Sequence, residues 1–179
     1  MAVQKDTCIP FFVTNLDSEI TIASISVHPQ KPEMGTRVSR RFNRILLDIE
    51  DVATLKDGEE VTLLRWGNFD IDKIEKDASG KILSVSGRCN PDATNFSKTK
   101  KLSWLSDVPD IVPCKLVEFD HLISKAKLEE DDNFQDFVNP TTRFESEALA
   151  DACLRLVKPG DVIQLERKGF FRYNFSIIF

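Results

Sequence analysis

Between Asp161 and Tyr173 the sequence reads D-V-I-Q-L-E-R-K-G-F-F-R-Y, which sets an amide (Gln164) three residues before a guanidinium (Arg167), with an ammonium (Lys168) beside it. An amide supplies donors and an acceptor, and a guanidinium supplies a planar fork of donors. Together they match the hydrogen-bonding edge of a nucleobase. Lys168 is a point charge suited to a phosphate. The same side chains also fit an ordinary solvated strand, since surface charge is the default. From Ile163 to Arg167 apolar and polar residues alternate, as on a strand with one wet face, and Lys168-Gly169 can turn the chain. Residues three apart on a straight strand point to opposite faces. For Gln164 and Arg167 to meet one base, the backbone must bulge, twist or turn between Gln164 and Gly169, at a rim, with Glu166 placed to orient the guanidinium.

Other cations are grouped. Arg37, Arg40, Arg41 and Arg44 fall close together, Lys98, Lys100 and Lys101 form a second cluster, and Arg65 and Asn68 flank a Trp-Gly pair. Acidic runs occupy 48–51 and 129–132, and the net charge is −5. That sum argues mildly against a polyanionic partner, but phosphate binding depends on local patches. The expectation is that Arg37, Arg40, Arg41, Lys98, Lys100 and Lys101 lie toward one RNA-facing side; two separate solvated edges are the alternative.

Enzymatic and metal chemistry find no support. Neither a G-x-x-x-x-G-K-[ST] loop nor G-x-G-x-x-G occurs, so no phosphate cradle is encoded and no cofactor is expected. Cys8, Cys89, Cys114 and Cys153 are widely spaced with only His28 and His121 beside them, which is no zinc-ligand spacing; free thiols in a reducing cytosol fit best. Neither histidine has a serine or cysteine in a nucleophile setting. No apolar run reaches the length of a membrane span, and the first residues, with Lys5 and Asp6, do not read as a secretory leader.

The elements that must position these groups are strands. With 41% hydrophobic and 30% charged residues, the composition is that of a globular protein of one domain or two small ones. Apolar or alternating runs occur at 9–13, 20–27, 42–49, 61–64, 69–76, 82–88, 101–105 and 112–122, with turn signals at Asp57-Gly58, Asp77 to Lys81 and Pro159-Gly160-Asp161. With the opening segment, about nine strands at regular spacing point to barrels or sandwiches. Helical spacing suggests a short helix over Glu129 to Val138 and another over Ser146 to Leu156. Phe170, Phe171, Phe175, Ile177 and Phe179 crowd the C-terminal end and need a barrel interior to cover them.

Seven stretches, in order and over nearly the whole chain, resemble the C-terminal anticodon-binding region of class I glutamyl- and glutaminyl-tRNA synthetases. They are M-A-V (1–3), H-P-Q-K-P-E-M-G (28–35), E-V-T-L-L-R-W-G-N (60–68), K-D-A-S-G-K (76–81), K-L-S-W-L (101–105), L-V-E-F-D-H-L-I (116–123) and I-Q-L-E-R-K-G-F-F (163–171). The W-G-N element looks like the glutamyl branch of eukaryotic cytosolic type. The resemblance implies a mainly β fold of two β-barrels with short helices in connections. It divides the chain into a proximal barrel from 1–54 and 111–179 and a distal barrel from 55–110.

In that family the glutamine and arginine of Q-x-E-R help read the central uridine, which implies base contacts for Gln164 and Arg167. Uridine's two carbonyls and one N–H suit an amide plus a guanidinium. Beyond that motif, the candidate RNA contacts are Lys168 as a phosphate contact, Arg65 and Asn68 beside the Trp-Gly pair, and, from charge clustering, Lys98, Lys100, Lys101, Arg37 and Arg41. The partner implied is the anticodon loop of a glutamate-accepting tRNA, together with a catalytic synthetase domain or proteins of a multisynthetase complex. No membrane partner is implied, and the expected location is cytoplasmic. The sequence departs from the glutaminyl branch, whose strand before the asparagine carries two arginines; here it reads V-T-L-L and leaves Arg65 alone nearby. Past F-F it runs from Tyr173-Asn174 directly into F-S-I-I-F, without the family's longer hairpin. The ATP-site signatures of the His-x-Gly-His and Lys-Met-Ser-Lys-Ser kinds occur nowhere in it. The expectation is therefore no enzyme as an isolated chain, but a fragment or relative of glutamate–tRNA ligase without the ATP-binding domain. The alternative is a protein-interaction or structural module of the translation machinery with little RNA affinity.

Overall fold

A computed structural model describes residues 1–17, 19–27 and 30–174. The expected final strand at 175–179, and His28 with Pro29, lie outside them. In chain order the strands are β1 (Ala2–Gln4), β2 (Cys8–Val13), β3 (Thr21–Ser26), β4 (Thr36–Arg41), β5 (Arg44–Asp48), β6 (Glu60–Leu63), β7 (Gly67–Lys76), β8 (Ile82–Asn90), β9 (Lys100–Leu102), β10 (Trp104–Ser106), β11 (Val112–Phe119), β12 (Arg143–Ala150), β13 (Val162–Leu165) and β14 (Gly169–Arg172). A single turn of α-helix, α1 (Ile49–Val52), follows β5. The protein is mainly β.

Seven strands form one sheet in the order β10-β5-β2-β8-β7-β6-β9. Its two edge strands are almost contiguous in sequence, because only Ser103 separates β9 from β10. The run 100–106 thus pairs with β6 through its first half and with β5 through its second. This joins the two edges and curls the sheet into a nearly closed barrel. Closure covers edges that would otherwise template aggregation. Inside lie Phe11, Ile45, Leu47, Val61, Leu63, Phe69, Ile71, Val85, Leu102 and Trp104, all essentially buried. Strands β2 and β5 of the N-terminal segment and β6 to β10 of the middle segment share this sheet, so backbone hydrogen bonds join the two segments.

A second layer is the three-stranded sheet β1-β12-β11 and the hairpin β13–β14. Ala2, Leu116, Ala148, Ala150 and Leu165 make its small core, with Ile163 and Phe171 packed against them. Alternation along β1 ties the layers together: Ala2 faces this core, while Val3 packs with Leu46 and Leu105 of the barrel wall. The hairpin β3–β4 stands apart as its own two-stranded sheet.

Two helical expectations are corrected. Residues 146–150 belong to β12, where Ala148 and Ala150 are buried on one face and Glu147 on the other is exposed; the small residues that suggested a helix instead allow close packing under β1. Only Ala152–Leu156 coils, as a 3-10 turn capped by Asp151, whose carboxylate accepts from the Cys153 N–H. In 129–138 the helix shrinks to a 3-10 turn at Phe134–Phe137, because its phenylalanines have no surface to cover: Phe134 is 55% exposed. Fourteen strands, not about nine, lie among the described residues. The polar β4, T-R-V-S-R-R, gave no apolar rhythm to detect.

Candidate nucleic-acid interface

Strands β13 and β14 pair with Gln164 opposite Phe170 and Leu165 opposite Gly169. Glu166, Arg167 and Lys168 make the connection. The Lys168 N–H donates to the Leu165 carbonyl at 3.0 Å, and Arg167 takes φ 67°, the left-handed region that a non-glycine side chain occupies only at a cost. The backbone therefore departs from a straight strand between Gln164 and Gly169. Gln164 stays on the strand's exposed face and Arg167 sits exposed at the tip.

The three turn side chains reach three different acid–base partners. Arg167 forks onto Asp51, with Nη2 donating to Oδ1 at 2.6 Å and Nη1 to Oδ2. This pairing holds the guanidinium above its ordinary pKa. Lys168 Nζ lies 3.1 Å from Asp48, whose other oxygen accepts the Gln4 N–H at 2.8 Å. Glu166 accepts from Arg65 Nε at 2.6 Å. The expectation that Glu166 orients Arg167 is thus corrected: the reversal at Arg167 sends the two side chains apart, and Asp51 does the orienting. Asp48, Glu50, Asp51, Ser103, Arg167 and Lys168 line a shallow cleft there.

Arg65 occupies a turn of the same design. The Trp66 N–H donates to Leu63 O at 3.0 Å, Arg65 has φ 62°, and Leu63 pairs with Gly67. Leu63-x-Arg65-x-Gly67 and Leu165-x-Arg167-x-Gly169 are one pattern used twice, and the Arg65–Glu166 pair couples the two turns. Arg65 Nη1 also donates to Ser26 O at 3.3 Å, and its own carbonyl accepts from Arg41 Nη2 at 3.0 Å. Arg41 lies over the Trp66 ring at 5.6 Å, and burial pulls its guanidinium below the ordinary range. Trp66 in turn leans on Trp104, whose indole N–H donates to Leu64 O at 2.8 Å. A guanidinium–aromatic stack of this kind fixes both turns relative to the barrel.

The other predicted site residues divide sharply. Asn68 is 1% exposed, accepts from Thr62 and donates to Glu60 and to Asn95 O, so it clamps the 90–99 loop rather than facing solvent. Lys101 donates to the Thr99 and Phe96 carbonyls. Lys100 pairs with Glu59 at 2.8 Å, and Arg37 stands 3.8 Å from Asp151. Arg40 pairs with Asp110 at 3.1 Å and Arg44 with Asp107 at 2.7 Å. Lys98 is exposed and holds no ion pair among the described residues. The structure therefore brings Gln164, Arg167, Lys168, Arg65 and Arg41 to one region and commits most of the remaining cations to local carboxylates. Sequence reasoning missed Asp48 and Asp51, which carry no signal beyond an acidic run, and the expectation that an interior covers Phe170 is corrected: Phe171 packs inward, but Phe170 alternates to the outer face and is 76% exposed.

Burial pushes all four thiols up, so none is activated as a nucleophile. No helix among the described residues is long and apolar enough to cross a membrane.

Two family models match the chain, over residues 1–92 and 101–174, and both are described as the anticodon-binding domain of class I tRNA synthetases (E and Q). The probable cytoplasmic glutamate–tRNA ligase of Schizosaccharomyces pombe is 45% identical over 145 residues, 80% of this chain and 20% of that protein. The cytoplasmic glutamate–tRNA ligase of Arabidopsis thaliana is 40% identical over 177 residues, 99% of this chain and 25% of that protein. The bifunctional glutamate/proline–tRNA ligase of Mus musculus is 34% identical over 173 residues, 96% of this chain and 11% of that protein. The chain spans about a quarter or less of the length of these relatives.

Proposed function

Because the chain belongs to the class I tRNA synthetases for glutamate and glutamine, matching their anticodon-binding domain, we propose that it is the anticodon-loop recognition module of a cytoplasmic glutamate–tRNA ligase. Gln164 and Arg167 contact the central anticodon base, Lys168 contacts a phosphate, and Arg65 and Arg41 support the neighbouring turn. Lys98, which holds no ion pair among the described residues, adds backbone attraction, while Arg37 stays matched to Asp151. Asn68, Lys100 and Lys101 shape the loop beside them.

The observation that carries this reading is the 166–168 turn, which holds Arg167 exposed at a rim next to the outward-facing Gln164. In the free chain Arg167 is paired with Asp51, and magnitudes decide whether that blocks the role. The pair is bidentate and Asp51 is only 14% exposed, so it contributes more than the roughly 0.2–1 kcal/mol of a fully exposed pair and approaches the about 1–3 kcal/mol by which a good bidentate base contact discriminates. Release from Asp51 therefore offsets part of the gain from the base, and until then Asp51 keeps the fork extended.

A second reading, a docking module for other translation proteins, draws on the exposed Phe119 (77%) at the end of β11 and Leu122 (73%) just past it. Filter binding separates the two. The recognition reading expects a glutamate-accepting tRNA to bind more tightly than the same tRNA with a swapped anticodon, and both more tightly than bulk RNA. Equal retention of all three favours the docking module.

A further inference from the structure

The two L-x-R-x-G hairpins differ in what covers their corresponding outer positions. In β6–β7 those positions are Thr62 and Asn68, both buried, and the chain covers them itself: Asn68 donates to Asn95 O, Thr62 hydrogen-bonds Thr99, and β9 pairs alongside β6. In β13–β14 they are Gln164 and Phe170, directly opposite one another, followed by the pair Val162 and Arg172. Here nothing among the described residues covers them. Phe170 is 76% exposed and Val162 68%, although the inner face of the same hairpin, Ile163, Leu165 and Phe171, packs on Ala2, Leu116, Ala148 and Ala150.

We propose that the outer face of β13–β14 is a stacking platform for one unstacked nucleobase of a single-stranded RNA loop, with Phe170 under the base, Gln164 at its edge and Arg172 toward its phosphate. The inference rests on the anticodon-recognition reading and adds to it a role for Phe170 and Arg172, to which that reading assigns none. Directly opposed residues on antiparallel strands have Cβ atoms about 5 Å apart, so the Gln164 and Phe170 side chains rise side by side from the same face. A base lying flat on that ring presents its hydrogen-bonding edge to the amide. Exposed aromatic rings are how sheets hold single-stranded bases, because every base has a π-face. Charge agrees: the face carries no carboxylate, and Arg172 forms no ion pair among the described residues, whereas Arg167 and Lys168 at the tip are each matched to an aspartate. That unopposed cation beside a bare ring suits a polyanion better than an apolar protein partner.

The test compares Phe170→Ala, Phe170→Leu and Phe170→Trp in the 179-residue chain, with urea midpoints recorded for each. Binding is measured to a glutamate-accepting tRNA and to the same tRNA made abasic at the central anticodon position. The expected result is roughly tenfold weaker binding of the intact tRNA by both Phe170→Ala and Phe170→Leu. Phe170→Trp retains or improves affinity, and the differences vanish on the abasic tRNA. Leucine is the informative variant, since it keeps apolar area and removes the π-face. Equal binding by wild type, Phe170→Ala and Phe170→Leu overturns the platform while leaving anticodon recognition standing. A lowered urea midpoint with undiminished RNA binding also overturns it, because the ring would then be covered by protein. No binding of tRNA above bulk RNA by the wild type overturns both.

Discussion

At the residue scale, the main feature is that the candidate reader is charge-matched before any RNA arrives. Arg167 and Lys168 sit on Asp51 and Asp48, so the turn contributes little net positive field, in keeping with the acidic sequence. Attraction at a distance must come from cations without such partners. Lys98 is one, and Lys98→Ala is expected to flatten the dependence of log affinity on log salt by about one phosphate's worth. Lys100→Ala, which breaks the pair with Glu59, is expected to leave that slope nearly unchanged; equal slopes for Lys98→Ala and wild type would place the phosphate track elsewhere. Lys168→Ala should weaken cognate and non-cognate RNAs alike, as a phosphate contact does, read as parallel shifts across a panel of anticodon variants. The need for a backbone reversal between Gln164 and Gly169 was legible in the sequence, because side-chain periodicity alone forbids Gln164 and Arg167 from facing one base. The sequence could not disclose Asp51, since that partner comes from α1, more than a hundred residues away along the chain.

At the element scale, what positions the site is a curled sheet whose two edges are joined through Ser103. Its tightest point is Gly87 on β8, where β2 runs parallel. A Cβ there would come 2.5 Å from the Asp70 carbonyl and 2.8 Å from Phe11 Cζ. Both neighbours are fixed, one as backbone and the other as a fully buried ring. Gly87→Ala is accordingly expected to destabilise by about 1–3 kcal/mol, read as a lowered urea midpoint at unchanged slope; an unshifted midpoint would mean that β2 and β8 can separate freely. Strands with strong alternation, such as β3, β7 and β8, were legible before the structure. β4 was not, because its stabilisation comes from pairing with β3 and from carboxylates on distant segments. β12 was misread for a related reason: alanines at positions 148, 150 and 152 fit either period, and only β1 and β11 on its two sides select the strand.

At the scale of the whole molecule, the barrel and the second sheet meet along β1, and the paired turns lie at that junction through the Arg65–Glu166 bridge. Neither the His-x-Gly-His nor the Lys-Met-Ser-Lys-Ser kind of signature occurs in the sequence. The 179-residue chain alone is expected to show no glutamate-dependent pyrophosphate exchange, and turnover that survives repurification would contradict the recognition-module reading. That reading stands or falls on one coupling, between Arg167 and the central anticodon base. The direct measurement is a double-mutant cycle in which wild type and Arg167→Ala are each titrated with a glutamate-accepting tRNA and with the same tRNA carrying cytidine for the central uridine. The predicted result is a loss of about 1–3 kcal/mol for Arg167→Ala on the cognate tRNA that largely disappears on the cytidine variant. If Arg167→Ala weakens both tRNAs equally, the guanidinium reads no base there and the assignment is wrong.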